Sequence, residues 1–156
     1  MKITILAIGK KHDPKIEESI SDYSKRLGRY VKLEWRLLDI KLPPSANGDK
    51  IRTLESNVIR KELNQSDTSI LLDERGNSLT SPEFANTIQG FMNSGLQNIV
   101  FIIGGAYGVD DDLFNHVDFR LSLSKLVFPH QLVRLILLEQ IYRAHTILAG
   151  EKYHHV

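Results

Sequence analysis

Short apolar runs alternate with amphipathic segments five times along this chain, and this alternation limits the possible folds more than any other feature. The apolar runs predict buried strands, and the amphipathic segments predict helices that cover them. Strands that alternate with helices are typical of a parallel sheet with helices on both faces. We therefore expect an α/β fold with a mostly parallel sheet, formed by a single domain over residues 1–156.

The predicted elements can be placed along the chain from their hydrophobic periodicity and capping residues. The expected strands are residues 1–8, about 33–40, 69–73, 98–103 and 120–124. The expected helices begin near residues 13, 51, 81, 110 and 129, and the last helix reaches about Leu148. Ligands of such sheets bind at the carboxyl ends of strands. The segments that follow Ile8, Asp73, Ile103 and Ser124 are therefore the candidate binding segments.

The composition excludes several classes of protein. The chain contains no cysteine, which rules out disulfides, zinc ribbons and a thiol nucleophile. The first residues, MKITILAIGK, have too short an apolar part for a signal peptide, and no segment has the length of a membrane span. We therefore expect a cytoplasmic protein without membrane contact.

The net charge of +1 argues against a protein that binds nucleic acid by charge alone. Any such binding must use local basic patches. Three candidate patches are Lys10 to His12, Lys25 with Arg26 and Arg29, and Lys152 with the final histidines.

The segment FIIGGAYG, residues 101–108, is an apolar strand that breaks into glycines. Bare glycines allow a backbone to approach a ligand, although a tight turn needs them too, and both interpretations stay open here. A dinucleotide-binding fingerprint does not fit, because the spacing differs and the residue 20 positions after Gly105 is Lys125 rather than an acid. A phosphate-binding P-loop does not fit either, because Gly9 and Lys10 lack the rest of that motif.

The segment LSLSKLVF, residues 121–128, leads from a strand into a loop of small hydroxyl side chains and one lysine. Pro129 then presets the first turn of the last helix. Such a loop offers backbone donors and acceptors beside apolar walls, which suits a flat, neutral ligand such as an adenine ring.

The last helix has apolar side chains in nearly every direction, so we expect it to be buried against the sheet and against another subunit. His130, Arg134 and His145 share one face of this helix, and Glu139 and Arg143 share roughly the opposite face. A packed ion pair and a functional pair both remain possible for Glu139 and Arg143.

Three segments together resemble a known family: FIIGGAYG, LSLSKLVFPHQLVRLILLEQIYRA and the terminal KYHH. They are similar to the SPOUT-class methyltransferases that modify N3 of a pseudouridine in bacterial large-subunit (23S) ribosomal RNA. MKITILAIGK and LLDERG are similar as well, so the resemblance extends over the chain. It implies an α/β fold with a C-terminal trefoil knot, S-adenosyl-L-methionine as cofactor, a homodimer and no metal. Because the chain has no separate RNA-binding module, we expect the assembled ribosome to be the substrate.

The resemblance also implies which residues act. The cofactor-binding set would be Leu72, Gly104, Gly105, Leu123, Ser124, Lys125, Leu126, Val127 and Phe128. The catalytic set would be Arg143, Tyr153 and His154. Arg143 suits anion stabilisation or phosphate binding, His154 suits proton acceptance, and Tyr153 suits stacking on the target base or hydrogen bonding to it.

Two positions depart from the family pattern: Val127 stands where many relatives have threonine, and His155 stands where lysine or arginine is common. Two alternative functions also stay open at this point. One is a ribosome-binding protein without catalysis, in which the terminal Tyr-His-His is a frayed tail. The other is an oxidoreductase with a nucleotide cofactor.

Overall fold

A single five-stranded sheet organises residues 1–155, the part of the chain that the computed structural model describes. Its strands are β1 (Lys2–Ile8), β2 (Lys32–Leu38), β3 (Thr68–Ser78), β4 (Asn98–Ile103) and β5 (Phe119–Ser122). Their order across the sheet is β2-β1-β4-β3-β5, and each pair of neighbours is parallel. The predicted α/β class is confirmed, and the sheet is parallel throughout.

Five helices cover both faces of this sheet. They are α1 (Pro14–Leu27), α2 (Gly48–Glu62), α3 (Ser81–Asn93), α4 (Asp111–His116) and α5 (His130–Leu148). In β4, Ile99 and Phe101 pack with α1, α3 and α5, while Val100 and Ile102 pack with α2 and α4. Side chains of a strand point to alternate faces, so a continuous apolar run buries both sides of the sheet.

The capping residues place the helix starts close to their predicted positions. The Asp13 side chain accepts a hydrogen bond from the Lys15 amide at the start of α1. The cap of α3 is Thr80, one residue before the predicted start, and it forms a reciprocal capping box with Glu83. Helix α5 begins directly after Pro129 and has no side-chain cap.

The sequence prediction extends two strands, β2 and β5, beyond the ends that the structure shows. The prediction for β2 was wrong beyond Leu38, because the ladder with β1 ends where Ile8 pairs with Leu38. The prediction for β5 was wrong beyond Ser122, where the chain turns. The Ser122 hydroxyl donates to the Ser124 carbonyl, and the Leu126 amide donates to the Ser124 hydroxyl. These local bonds replace a strand ladder.

The predicted end of β3 at Asp73 was also wrong. After an irregularity that follows Leu72, the strand continues and pairs Asn77 with Leu121 and Ser78 with Ser122. Leu72 is therefore the last residue that pairs with β4, and it does not end the strand. The extension depends on β5, which is distant in the sequence.

Helix α5 lies on the sheet, where Leu137, Leu138 and Ile141 are completely buried. This confirms its predicted burial against the sheet. Its contact with a second subunit and the trefoil knot stay predictions. Within residues 1–155, no helix combines the length and apolarity that a membrane span requires.

Candidate functional site

A cavity of about 890 Å³ opens at the edge of the sheet where β4 ends. Its size is within the usual range for small-molecule sites. The loop after β5 and the first turn of α5 complete its wall. Eight of the nine predicted cofactor-binding residues line it: Leu72, Gly104, Gly105, Leu123, Ser124, Leu126, Val127 and Phe128. The ninth, Lys125, is exposed and is not part of the wall formed by the described residues.

The end of β1 does not take part in this cavity, contrary to the expectation for the segment after Ile8. The completely buried side chain of Arg134 closes this strand end, donating to the Ile8 carbonyl at 2.6 Å and to the Lys11 carbonyl at 2.9 Å. Gly9 has a φ of 121°, and a Cβ there would lie 2.8 Å from Nη2 of Arg134. Burial lowers the pKa of Arg134. This strand end is therefore filled by the protein itself.

The glycines after β4 form a tight turn in the cavity wall. The Gly108 amide donates to the Gly105 carbonyl at 3.1 Å, and Gly108 has a φ of 71°. A Cβ on Gly105 would overlap the carboxylate of Glu55. The tight turn is confirmed, but its positive φ is at Gly108, and neither Gly104 nor Gly105 has a positive φ. Close approach to a ligand stays a prediction.

Helix α2 supports this turn from behind. The ring of Tyr107 lies over Gly48, where a Cβ would be 2.7 Å from the ring, and Nε of Arg52 donates to the Tyr107 carbonyl. The hydroxyl of Ser56 accepts from the Asp110 amide at 2.9 Å. Arg52 and Tyr107 both line the cavity, and no sequence motif predicted a role for either.

Helix α2 also places a buried carboxylate, that of Glu55, against the glycine turn. It is only 5% exposed, and its Oε2 has no hydrogen-bond partner among the described residues. Burial raises the pKa of its carboxyl group. A sequence signal for this position exists, because Ile51, Glu55 and Ile59 are spaced by four and share a helix face.

Charged side chains without a predicted role also line the cavity. Arg75 donates from Nε and Nη2 to the two carboxylate oxygens of Asp73, at 2.8 and 2.9 Å. Burial alone would raise the pKa of Asp73, but these hydrogen bonds hold it below its ordinary value. Burial, together with the charge of Arg134, lowers the pKa of His130. His130 is therefore a neutral imidazole near pH 7.

The three predicted catalytic residues lie together in a second cluster. Arg143 is 3.3 Å from the ring nitrogen Nδ1 of His154, and its guanidinium lies 4.8 Å from the centre of the Tyr153 ring. Oε1 of Glu139 accepts from Nη2 of Arg143 at 2.6 Å and from the Tyr153 hydroxyl at 3.1 Å. Glu139 therefore joins the cluster, and its side chain keeps only 18% of its surface exposed.

The hydrogen bonds fix the protonation of this cluster. The bond with Glu139 raises the pKa of Arg143, which keeps its charge. Arginine cannot accept a hydrogen bond, so Nδ1 of His154 is the acceptor and the ring of a neutral His154 carries its proton on Nε2. Burial, the hydroxyl of Tyr23 and the charge of Glu139 raise the pKa of Tyr153, which stays protonated.

The cavity and the cluster around Arg143 lie toward opposite ends of α5. His130 lines the cavity and Arg143 holds the cluster, thirteen positions later. At 1.5 Å per residue, these positions are ~20 Å apart along the helix axis. Within one chain, the two sites are therefore separate.

A family model described as "Predicted SPOUT methyltransferase" matches residues 1–154. The chain belongs to the SPOUT methyltransferase family. A protein of Cytophaga hutchinsonii is 44% identical over 157 residues, covering 99% of this chain and 100% of the relative. A protein of Acetivibrio thermocellus is 42% identical over 158 residues, covering 99% of both chains. Both relatives are named "Ribosomal RNA large subunit methyltransferase H".

A solved structure entitled "The structure of a probable methylase family protein from Haemophilus influenzae Rd KW20" has a similar fold. The TM-score is 0.57 at 12% identity, with 99% of this chain and 70% of the other covered. Membership in the SPOUT family favours methyl transfer over the oxidoreductase alternative. Residues 1–155 contain no group of three or more acidic or histidine side chains placed to hold a metal ion.

The contact between Gly105 and Glu55 can be tested in this SPOUT chain by a double-mutant cycle. We expect Gly105→Ala to lower the free energy of unfolding by about 1–3 kcal/mol, because its methyl group displaces a buried carboxylate. In a Glu55→Ala background, Gly105→Ala should lower the free energy of unfolding by less. Denaturant unfolding measures the change in free energy in both backgrounds.

Gly90→Ala is the matched control, because a Cβ at Gly90 in α3 meets nothing within 4 Å. This change should leave stability unchanged or raise it, since alanine favours helices. An equal cost of Gly105→Ala in both backgrounds would show that Glu55 is not the group displaced.

Proposed function

We propose that this chain is an S-adenosyl-L-methionine-dependent methyltransferase that methylates N3 of a pseudouridine in 23S ribosomal RNA. Its full-length relationship to proteins named as large-subunit ribosomal RNA methyltransferases carries this proposal. The cavity at the carboxyl edge of a parallel sheet supports it, because ligands of such sheets bind there.

The cavity residues fit this cofactor. Gly104 and Gly105 present backbone without side chains, and the orphaned carboxylate of Glu55 lies directly behind Gly105. The loop of residues 123–128 would hold the adenine through backbone groups, so Val127 in place of threonine leaves the site intact. Lys125 is exposed and does not line the cavity, so its position gives no support for a cofactor contact. When bound, the sulfonium supplies an activated methyl group, and the protein has to position it.

The catalytic cluster would act on the acceptor nitrogen, which must lose its proton. Arg143 keeps its charge and would stabilise the resulting anion or bind a neighbouring phosphate. His154 would donate from Nε2, because its Nδ1 accepts from Arg143. It can act as a base only if that bond breaks. The Tyr153 hydroxyl is held by Glu139, which leaves its ring to contact the target base.

A homodimer would bring the two sites together. One chain holds its cavity and its cluster at opposite ends of α5, so a methyl donor in the cavity cannot reach the cluster of the same chain. Leu126 and Val127 are 72% and 79% exposed beside the cavity, and Leu132 is exposed on α5. We infer that a second copy covers this apolar surface and supplies its own cluster. Action on ribosomes would place the dimer in the cytoplasm.

The function is tested by transfer of labelled methyl groups to ribosomes that lack the modification. We expect transfer to one pseudouridine, and much less transfer to naked 23S RNA, because the net charge of +1 provides little general affinity for RNA. Equal transfer to naked RNA would contradict the ribosome as substrate. Cofactor binding without methyl transfer would favour a non-catalytic ribosome-binding protein. Absence of cofactor binding at millimolar concentration would exclude the proposed methyltransferase function.

Arg143→Ala should lower the methyl-transfer rate by roughly 10²- to 10³-fold, because it removes the permanent cation of the cluster. Its cofactor affinity, measured by calorimetry, should stay within a few fold, because the cavity is distant. Lys61→Ala removes an exposed cation from α2, outside the cavity, the cluster and the candidate basic patches, and should retain normal turnover. Normal turnover of Arg143→Ala would remove this residue from the catalytic set.

Mixing two inactive variants tests the shared site. Ser124→Trp fills the cavity, and Arg143→Ala disables the cluster. If each site combines the cavity of one copy with the cluster of the other, mixed dimers contain one intact site. Random exchange should then restore about a quarter of the wild-type rate. No recovery, with exchange verified by mass spectrometry, would show that each chain forms its site alone.

A further inference from the structure

Glu55 is a buried carboxylate that no established contact explains. Its side chain is 5% exposed, and Oε2 is enclosed without a hydrogen-bond partner among the described residues. Burial raises its pKa, and no neighbouring charge contributes to that shift. The nearest cation on its own helix, Arg52, is engaged elsewhere, with Asp49 and the Tyr107 carbonyl.

Only backbone separates this carboxylate from the cavity. Gly105 lines the cavity, and the carboxylate lies where a Cβ of Gly105 would stand. Any other residue at this position would push Glu55 away. The glycine therefore leaves room for a buried carboxyl group directly behind the cavity wall.

An unpaired buried carboxylate costs free energy, because it loses the solvation of water without gaining a partner. Such groups are typical of functional sites, where a ligand supplies the missing charge. The cofactor of the proposed function carries a positive sulfonium. After methyl transfer, S-adenosylhomocysteine has a neutral thioether at the same place. The two ligands therefore differ by one unit of charge.

We propose that Glu55 makes the cavity prefer the cationic sulfonium cofactor to its neutral thioether product. This inference rests on the proposed function and deepens it. The carboxylate attracts the sulfonium across the bare backbone of Gly105 in a poorly solvated environment, where charge interactions are strong. Once the methyl group has left, that attraction is gone and the product dissociates more readily. Glu55 is thus a specificity residue that takes no part in the methyl transfer itself.

Glu55→Gln tests this proposal, because it removes the charge and keeps the shape. Calorimetry at pH 8 would measure the affinities of S-adenosylmethionine, S-adenosylhomocysteine and sinefungin, whose protonated amine replaces the sulfonium. We expect about tenfold weaker binding of the two cationic ligands, with the neutral thioether within about twofold of wild type. The matched control is Glu62→Gln, which removes a partly exposed carboxylate from the last turn of the same helix and should change none of the three affinities.

Thermal unfolding of the ligand-free protein separates this role from a structural one. Removing an orphaned buried charge should leave the melting temperature of Glu55→Gln equal to or above that of wild type. A structural role would lower the melting temperature and weaken all three ligands together. That result would overturn the proposal, as would unchanged affinity for S-adenosylmethionine. If wild-type protein binds none of the three ligands, the proposed function fails as well.

Discussion

The parallel pairing of β4 with β1 and β3 determines where the cavity and the helices around it lie. Parallel strands end at one edge of a sheet, so the glycine turn after β4 meets β3 and the loop after β5 there. Because β4 is apolar on both faces, helices must cover both sides. Helix α2 therefore lies under the glycine turn and holds it through Tyr107 and Asp110.

Helix α5 sets the second constraint, because a rigid helix fixes the distance between its ends. Its first turn borders the cavity, and Glu139 and Arg143 anchor Tyr153 and His154 near its other end. A helix cannot fold back to join the two sites. This separation is the reason for proposing that two copies associate.

Two buried ionisable side chains without an ion-pair partner differ in their hydrogen bonds. Arg134 donates to the Ile8 and Lys11 carbonyls, so its charge is distributed over backbone oxygens that need donors. Glu55 has an oxygen with no donor within the described residues. The Arg134 side chain thus closes a strand end, whereas the Glu55 carboxyl group stays incompletely hydrogen-bonded. The difference depends on partners distant in the sequence, which explains why hydrophobic periodicity could not predict it.

The alternation of strands and helices, the N-cap of α1 at Asp13 and the loop before α5 could be predicted from the sequence. These features depend on neighbouring residues and on local hydrogen bonds, so short segments are sufficient to predict them. Three other features arise only in the folded chain: β3 continues along β5, Glu55 lies behind Gly105, and Glu139 links Arg143 to Tyr153. The first two need segments distant in the sequence to meet, and the third depends on where the chain after α5 folds back. Burial and pairing of such groups are properties of the folded chain alone.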